Sequence, residues 1–222
     1  MVKPGRSGSE RRHPSHRRRW AVAALAMVVA LLGWVGWQYF LTNVIAGAAH
    51  RQQVNDLRAS WQASGGAAPG AKPTVGEAIG VLRVPAFGAD YEVPIFSGLE
   101  RDLLTRGVGH YPTTAQPGQL GNCALAGHRV THGQPFARLH ELNRGQEVII
   151  ETRRSLHTYV IDVAPRDLTV SPDDSWVLQP TPGQPRVKPT QALLTLTTAQ
   201  DVLPTSDRTV GFAHLASTQN KG

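Results

Sequence analysis

Cysteine is nearly absent from this chain. Its 222 residues contain one, Cys123, which excludes an intramolecular disulfide and a cysteine-rich zinc site. Aromatic residues are sparse, at 6%. Acidic residues are the minority charge: 16 against 23 Lys and Arg, for a net charge of +7. The excess is local. Residues 1–19 hold Lys3, Arg6, Arg11, Arg12, Arg17, Arg18 and Arg19 against Glu10 alone, so 7 − 1 gives +6 there and 7 − 6 leaves +1 for the rest. No basic face remains to argue for nucleic acid as a partner.

Charged residues are missing altogether from Trp20 to Ala49. The segment WAVAALAMVVALLGWVGWQYFL (20–41) supplies the roughly 20 apolar residues that span a bilayer core of about 30 Å as a helix. Trp20 stands at one end, and Trp34, Trp37, Tyr39 and Phe40 crowd the other, as interfacial aromatics do. The basic residues in front set the N-terminus on the cytoplasmic side. The sequence therefore predicts a cytoplasmic arm over 1–19, a single-pass transmembrane anchor over 20–42 and an extracellular remainder. A cleaved leader is the competing reading, because Ala46-Gly47-Ala48 offers small residues for cleavage, although the apolar run is longer than a leader needs. A buried soluble helix does not fit, since no polar face recurs at helical spacing.

Proline and glycine are well represented, 16 and 22 residues, so turns are frequent. Residues 43–75 are expected to form an extracytoplasmic stalk, polar and helix-compatible to about 61, then a linker, QASGGAAPGAKPTV (62–75). A domain over 76–217 follows, with a short tail at 218–222. Within it, IGVLRV (79–84), YEVPIF (91–96), GNCALAGH (121–128), QEVIIET (146–152), HTYVIDVA (157–164), ALLTLTT (192–198) and RTVGFAHL (208–215) read as short strands between Gly and Pro. LERDLLTRG (99–107) and PFARLHEL (135–142) read as short helices or turns. Many strands with no alternating helices predict a mainly β fold, a closed or nearly closed barrel.

Two segments carry chemistry. GNCALAGHRVTHG (121–133) is a strand running into Gly127-His128-Arg129. ALLTLTTAQDVLPTSDRTV (192–210) is an apolar strand ending in a Thr pair, with Arg208 beyond it. A strand ending in AGHR, followed about 70 residues later by TLTT and an Arg, resembles the sortases, the cysteine transpeptidases of the cell surface of Gram-positive bacteria. The run GHYPTTAQPGQLGNCALAGHRVTHGQPF, beginning at Gly109, is similar to their class E group, and the resemblance spans roughly residues 76–216.

The resemblance implies an eight-stranded barrel with a groove in one wall. There a Cys attacks the Thr–Gly bond of a sorting signal, and an amine of a cell-wall precursor or a pilin lysine resolves the thioacyl intermediate. It implies His128 as general acid and base, Arg208 as clamp for substrate and oxyanion, and Tyr111, Thr197 and Thr198 as groove lining. For class E relatives the signal is typically Leu-Ala-x-Thr-Gly, beside the Leu-Pro-x-Thr-Gly of other classes. The partners implied are surface proteins or pilins bearing such signals. No cofactor is implied.

At the nucleophile position this chain departs from the family: residue 199 is alanine, which has nothing to ionise and no lone pair for attack. As written, it is expected to bind and not to catalyse. Cys123 is an unsuitable substitute, because an odd separation from His128 along a strand puts the two on opposite faces. A small buried hydrophobe is the plainer reading of that residue. Thr198 stands next to the site with nothing visible to activate it. Arg208 alone would read as a loop ion pair with Asp207 or Asp201. His128, His132 and His140 do not make a metal pattern, since they fall on a strand and loops with no second ligand motif. Two origins for Ala199 stay open: deliberate replacement of the nucleophile, or a natural inactive relative serving as a membrane-anchored binding or scaffolding protein.

Overall fold

The computed structural model describes residues 16–63, 72–129, 133–199 and 207–221, without the side chains of residues 16–19, 35, 38–48 and 199. Residues 1–15 of the basic arm, residues 64–71 of the 62–75 linker, His132 and Asp201 lie outside the described residues. The chain divides into two compact units, Met1–Leu41 and Thr42–Gly222.

A long helix, α1, covers His16–Ala63. Between Trp20 and Trp37 its described large apolar side chains are exposed, Trp20 at 75%, Leu25 at 65% and Met27 at 71% among them. Among the described residues, no helix is long and apolar enough to cross a membrane. Within the anchor expected at 20–42, the side chains of residues 35 and 38–42 are not described.

The second unit is a barrel. Its strands are β1 (Ala78–Arg83), β2 (Glu92–Ser97), β3 (Val108–His110), β4 (Gly121–Ala126), β5 (Glu147–Glu151), β6 (Ser155–Val163), β7 (Thr169–Val170), β8 (Ala192–Ala199) and β9 (Arg208–Asn220). The sheet order is β6-β5-β1-β2-β3-β4-β8-β9-β7, and an added β6–β9 pairing closes eight strands into a ring, leaving β7 outside it on the edge of β9. The only described α-helix besides α1 is α2 (Arg101–Arg106). The architecture is thus the mainly β barrel with short helices that the sequence predicts, with the eight strands that the resemblance implies.

Alternation along the strands builds the core. Leu82, Ile95, Cys123, Leu125, Ile150, Tyr159, Leu194 and Leu196, all at most 1% exposed, meet inside the ring. Burial of such side chains stabilises by about 1.5–3 kcal/mol each. A smaller cluster, Val170, Val177 and Val210 with Trp176 and Phe212 packed against it, covers the outer face of β9. β9 runs to Asn220, because β6 offers partners as far as Ser155↔Asn220. The tail expected at 218–222 is therefore mostly strand.

The end of α1 is built into the barrel unit and is not a free spacer. Val54 is fully buried. The Arg58 guanidinium meets Glu92 twice at 2.8 Å and Glu151 at 2.5 and 3.3 Å, reaching β2 and β5 together. Lys221 Nζ donates to Glu151 at 2.6 Å and lies 4.9 Å from the Trp61 ring. Burial alone would push the Glu151 carboxyl up, but the hydrogen bonds and charges of Arg58 and Lys221 together hold it below its ordinary value of 4.5. A carboxyl depressed on folding contributes stability above its unfolded value, and that contribution disappears as pH falls through the folded one. Arg58→Ala is expected to cost about 2 kcal/mol, less than for a fully buried pair because Arg58 is part-exposed. It should also flatten the loss of stability below pH 4.5. Urea denaturation of both chains across pH 3–7 measures both effects.

Candidate active site

Strand register assembles the site. β4 and β8 run parallel, with Ala126 opposite Thr197, and the Gly127 N–H still donates to the Thr197 carbonyl at 3.2 Å. His128 and Ala199 each lie two residues past that pair, His128 beyond the end of β4 and Ala199 at the end of β8. β9 returns antiparallel with Arg208 directly opposite Ala199, a spacing of about 5 Å between Cα atoms. Positions 128, 199 and 208, remote in sequence, are thus gathered at the ends of three neighbouring strands.

Local packing fixes His128. A Cβ on Gly127 would lie 2.8 Å from the Phe136 ring, so only glycine lets that buried ring close on the strand end. The Phe136 N–H donates to the His128 carbonyl at 3.0 Å, and the Thr198 hydroxyl donates to the Gly127 carbonyl at 2.8 Å. Thr198 therefore borders the site while its hydroxyl is spent on the backbone beneath His128, which speaks against it as a nucleophile.

An open cleft of about 460 Å³ runs over these residues. His128, Arg208, Tyr111, Thr197 and Thr198 line it, with apolar walls from Leu99, Leu104, Ala126 and Pro172. The side chain of residue 199 is not described, so its place rests on the backbone register. Arg208 Nη1 donates to the Tyr111 hydroxyl at 3.1 Å. Arg208 is thus tied to the β3–β4 turn, Asp207 is a further cleft residue, and Asp201, the other ion-pair alternative, lies outside the described residues. Thr197 is 3% exposed, and its hydroxyl has no hydrogen-bond partner among the described residues.

Cys123 is elsewhere. It is 1% exposed within the barrel core, and burial pushes its thiol far above the ordinary value. Among the described residues no group of His, Cys, Asp and Glu is arranged to hold a metal ion. Sequence reasoning missed the cleft walls. Leu99 precedes α2 and Leu104 lies within it, and the pattern LERDLL shows a helix turn without showing what it faces. Pro172 sits beyond β7, a strand too short to signal itself.

The "Sortase domain" family description matches residues 82–216. Sortase SrtE1 of Streptomyces coelicolor is 36% identical over 178 residues, which cover 77% of this chain and 49% of that protein. The chain thus spans about half the length of that relative. The solved structure of sortase E from Streptomyces avermitilis superposes with a TM-score of 0.60 at 37% identity, over 67% of this chain and 93% of that one. Sortase E1 from Streptomyces coelicolor, solved with a tripeptide in its active site, gives 0.58 at 29% identity, over 65% and 91%. A family match over more than half the chain, on the barrel whose strand ends gather His128 and Arg208, places this chain in the sortase family.

Proposed function

We propose that the cleft binds the C-terminal sorting signal of a surface protein or pilin, with its Thr–Gly bond over position 199, and that the chain as written holds this peptide without cleaving it. The observation that carries the reading is the cleft lined by both His128 and Arg208, with position 199 opposite Arg208 in the strand register. Where a sulfur occupies position 199, the chemistry is transpeptidation. The thiolate adds to the Thr carbonyl, and Arg208 stabilises the oxyanion. His128 then gives its proton to the departing glycine amine, leaving a thioester that an incoming amine opens. With alanine there the first bond cannot form. Cys123 is no substitute, being enclosed in the core.

The second reading, a membrane-anchored binding or scaffolding protein, is favoured by that same alanine. The anchor is residues 20–42, N-terminus in the cytoplasm, where exposed apolar side chains of α1 such as Trp20, Leu31 and Trp34 would meet lipid. The barrel is then extracellular, and Leu99, Leu104 and Pro172 suit the apolar first residues of a Leu-Ala-x-Thr-Gly peptide.

The test is fluorescence anisotropy of the full chain with a labelled Leu-Ala-x-Thr-Gly peptide. Saturable binding without cleavage is expected, and absence of binding at millimolar peptide contradicts the reading. Thr197→Val should weaken binding about fivefold to tenfold by removing a hydroxyl at the cleft wall that has no partner among the described residues. The same change should leave the free chain as stable or more so, since that hydroxyl is unsatisfied.

A further inference from the structure

We propose that Thr114 and His110 are positioning residues for the cleft: they lock the turn after β3 so that the Tyr111 hydroxyl holds Arg208 at the height of position 199. The inference rests on the peptide-binding reading only for its consequence, not for its geometry.

The turn begins where β3 ends. The Tyr111 N–H donates to the Ala124 carbonyl at 3.0 Å, the Thr114 N–H returns to the Tyr111 carbonyl at 3.0 Å, and the Ala115 N–H donates to Asn122 O at 2.9 Å. Inside this frame the Thr114 hydroxyl is fully used. Its proton goes to the Tyr111 carbonyl at 2.8 Å, and its oxygen accepts the Ala124 N–H at 3.1 Å. The same oxygen lies 3.2 Å from His110 Nε2. His110 is completely buried, and its Nε2 is 2.9 Å from the Ala115 carbonyl. A carbonyl can only accept, so Nε2 carries the proton. One N–H is thus shared between Ala115 O and Thr114 Oγ1, and one hydroxyl joins the turn to β4.

Tyr111 is held by its backbone at both N–H and C=O, and its phenol accepts from Arg208 Nη1 at 3.1 Å across the cleft. Burial pushes the His110 imidazole below its ordinary value, the hydrogen bond to Ala115 opposing only in part, so the ring stays neutral and its donor stays in place at neutral pH. Arg208 has a long side chain with many rotamers. A fixed acceptor on the opposite wall selects the one that lies over the cleft, which reduces the entropy lost when a peptide arrives.

The full chain labelled with 3-fluorotyrosine tests this. It has four tyrosines, so the Tyr111 ¹⁹F signal is identified by its loss in Tyr111→Phe. Arg208→Gln should shift that signal by removing the donor. Thr114→Val should shift it in the same direction and leave the Tyr91 and Tyr159 signals in place, whereas Thr114→Ser should restore it. A Tyr111 signal unmoved by Thr114→Val, or moved equally by Thr114→Ser, overturns the proposal. If Thr114→Val unfolds the chain, all the signals collapse together, and Thr114→Ala is read in its place.

In the labelled-peptide assay, Thr114→Val and Tyr111→Phe should each weaken binding about tenfold, the equivalent of one well-placed hydrogen bond. The double variant should be no weaker than either single one. Additive losses contradict the shared route. If the parent chain binds no peptide, the functional reading fails, while the fluorine signals still decide the positioning claim.

Discussion

Replacing Ala199 with cysteine should turn this chain from a binder into a transpeptidase. On the proposed reading the remaining steps fall to His128, two residues past the end of β4, and Arg208, opposite position 199 on β9. Removing a nucleophile from a working hydrolase costs roughly six powers of ten in turnover, so the reverse change has that much to gain where the rest of the machinery is intact. A fluorogenic Leu-Ala-x-Thr-Gly peptide with hydroxylamine as acceptor reads the outcome. The parent should give background release only. Ala199→Cys should turn over, and His128→Ala or Arg208→Ala added to it should abolish the gain. A folded but silent Ala199→Cys chain would mean that the site has lost more than its sulfur, and would leave scaffolding as the surviving function.

A large stability effect is expected at Gly118. Its backbone has φ of +80°, and an added Cβ would run into the His157 ring, whose Nδ1 would lie 2.5 Å away. That ring cannot easily retreat. His157 lies in β6, is 8% exposed, and its Nδ1 is 3.1 Å from the Thr218 hydroxyl. The Gly118 N–H also donates to the buried Tyr159 hydroxyl at 2.7 Å, tying the turn to the barrel interior. Gly118→Val should cost about 4 kcal/mol, roughly 1 from the left-handed backbone and the rest from the overlap. Gly145 is the control, with φ of +85° and nothing within 4 Å of its would-be Cβ. Gly145→Val should cost about 1 kcal/mol, the backbone part alone. Equal losses in chemical denaturation would mean that His157 yields to the new side chain.

Much of this architecture is legible in the chain because alternation is strong where one face meets the core. ALLTLTTA alternates leucine inside with threonine outside, and β8 is where the sequence puts it. The pattern fails where strands are short. VGH (108–110) and TV (169–170) hold too few residues for a period to show. They exist because neighbouring strands offer partners, Ile95 for Val108 and Arg208 for Val170. The end of α1 was readable as a helix but not as part of the barrel. Its tie to Glu92 and Glu151 is a long-range pairing of charges that no local pattern reports. The site residues were legible through motif and not through physics: His128 and Arg208 are brought to one cleft by the β4–β8–β9 pairing, which sequence spacing does not encode. Leu99, Leu104 and Pro172 were invisible for the same reason, being ordinary apolar residues until the fold aims them at the cleft.

The claim that position 199 is the point of attack is tested most directly by intact-mass and peptide-mapping spectrometry of Ala199→Cys incubated with the pentapeptide and no acceptor amine. The account predicts an added mass equal to the acyl fragment ending at Thr, mapped to the segment containing position 199, and none on the parent chain. A folded variant with no adduct, or an adduct on Cys123 instead, would contradict it.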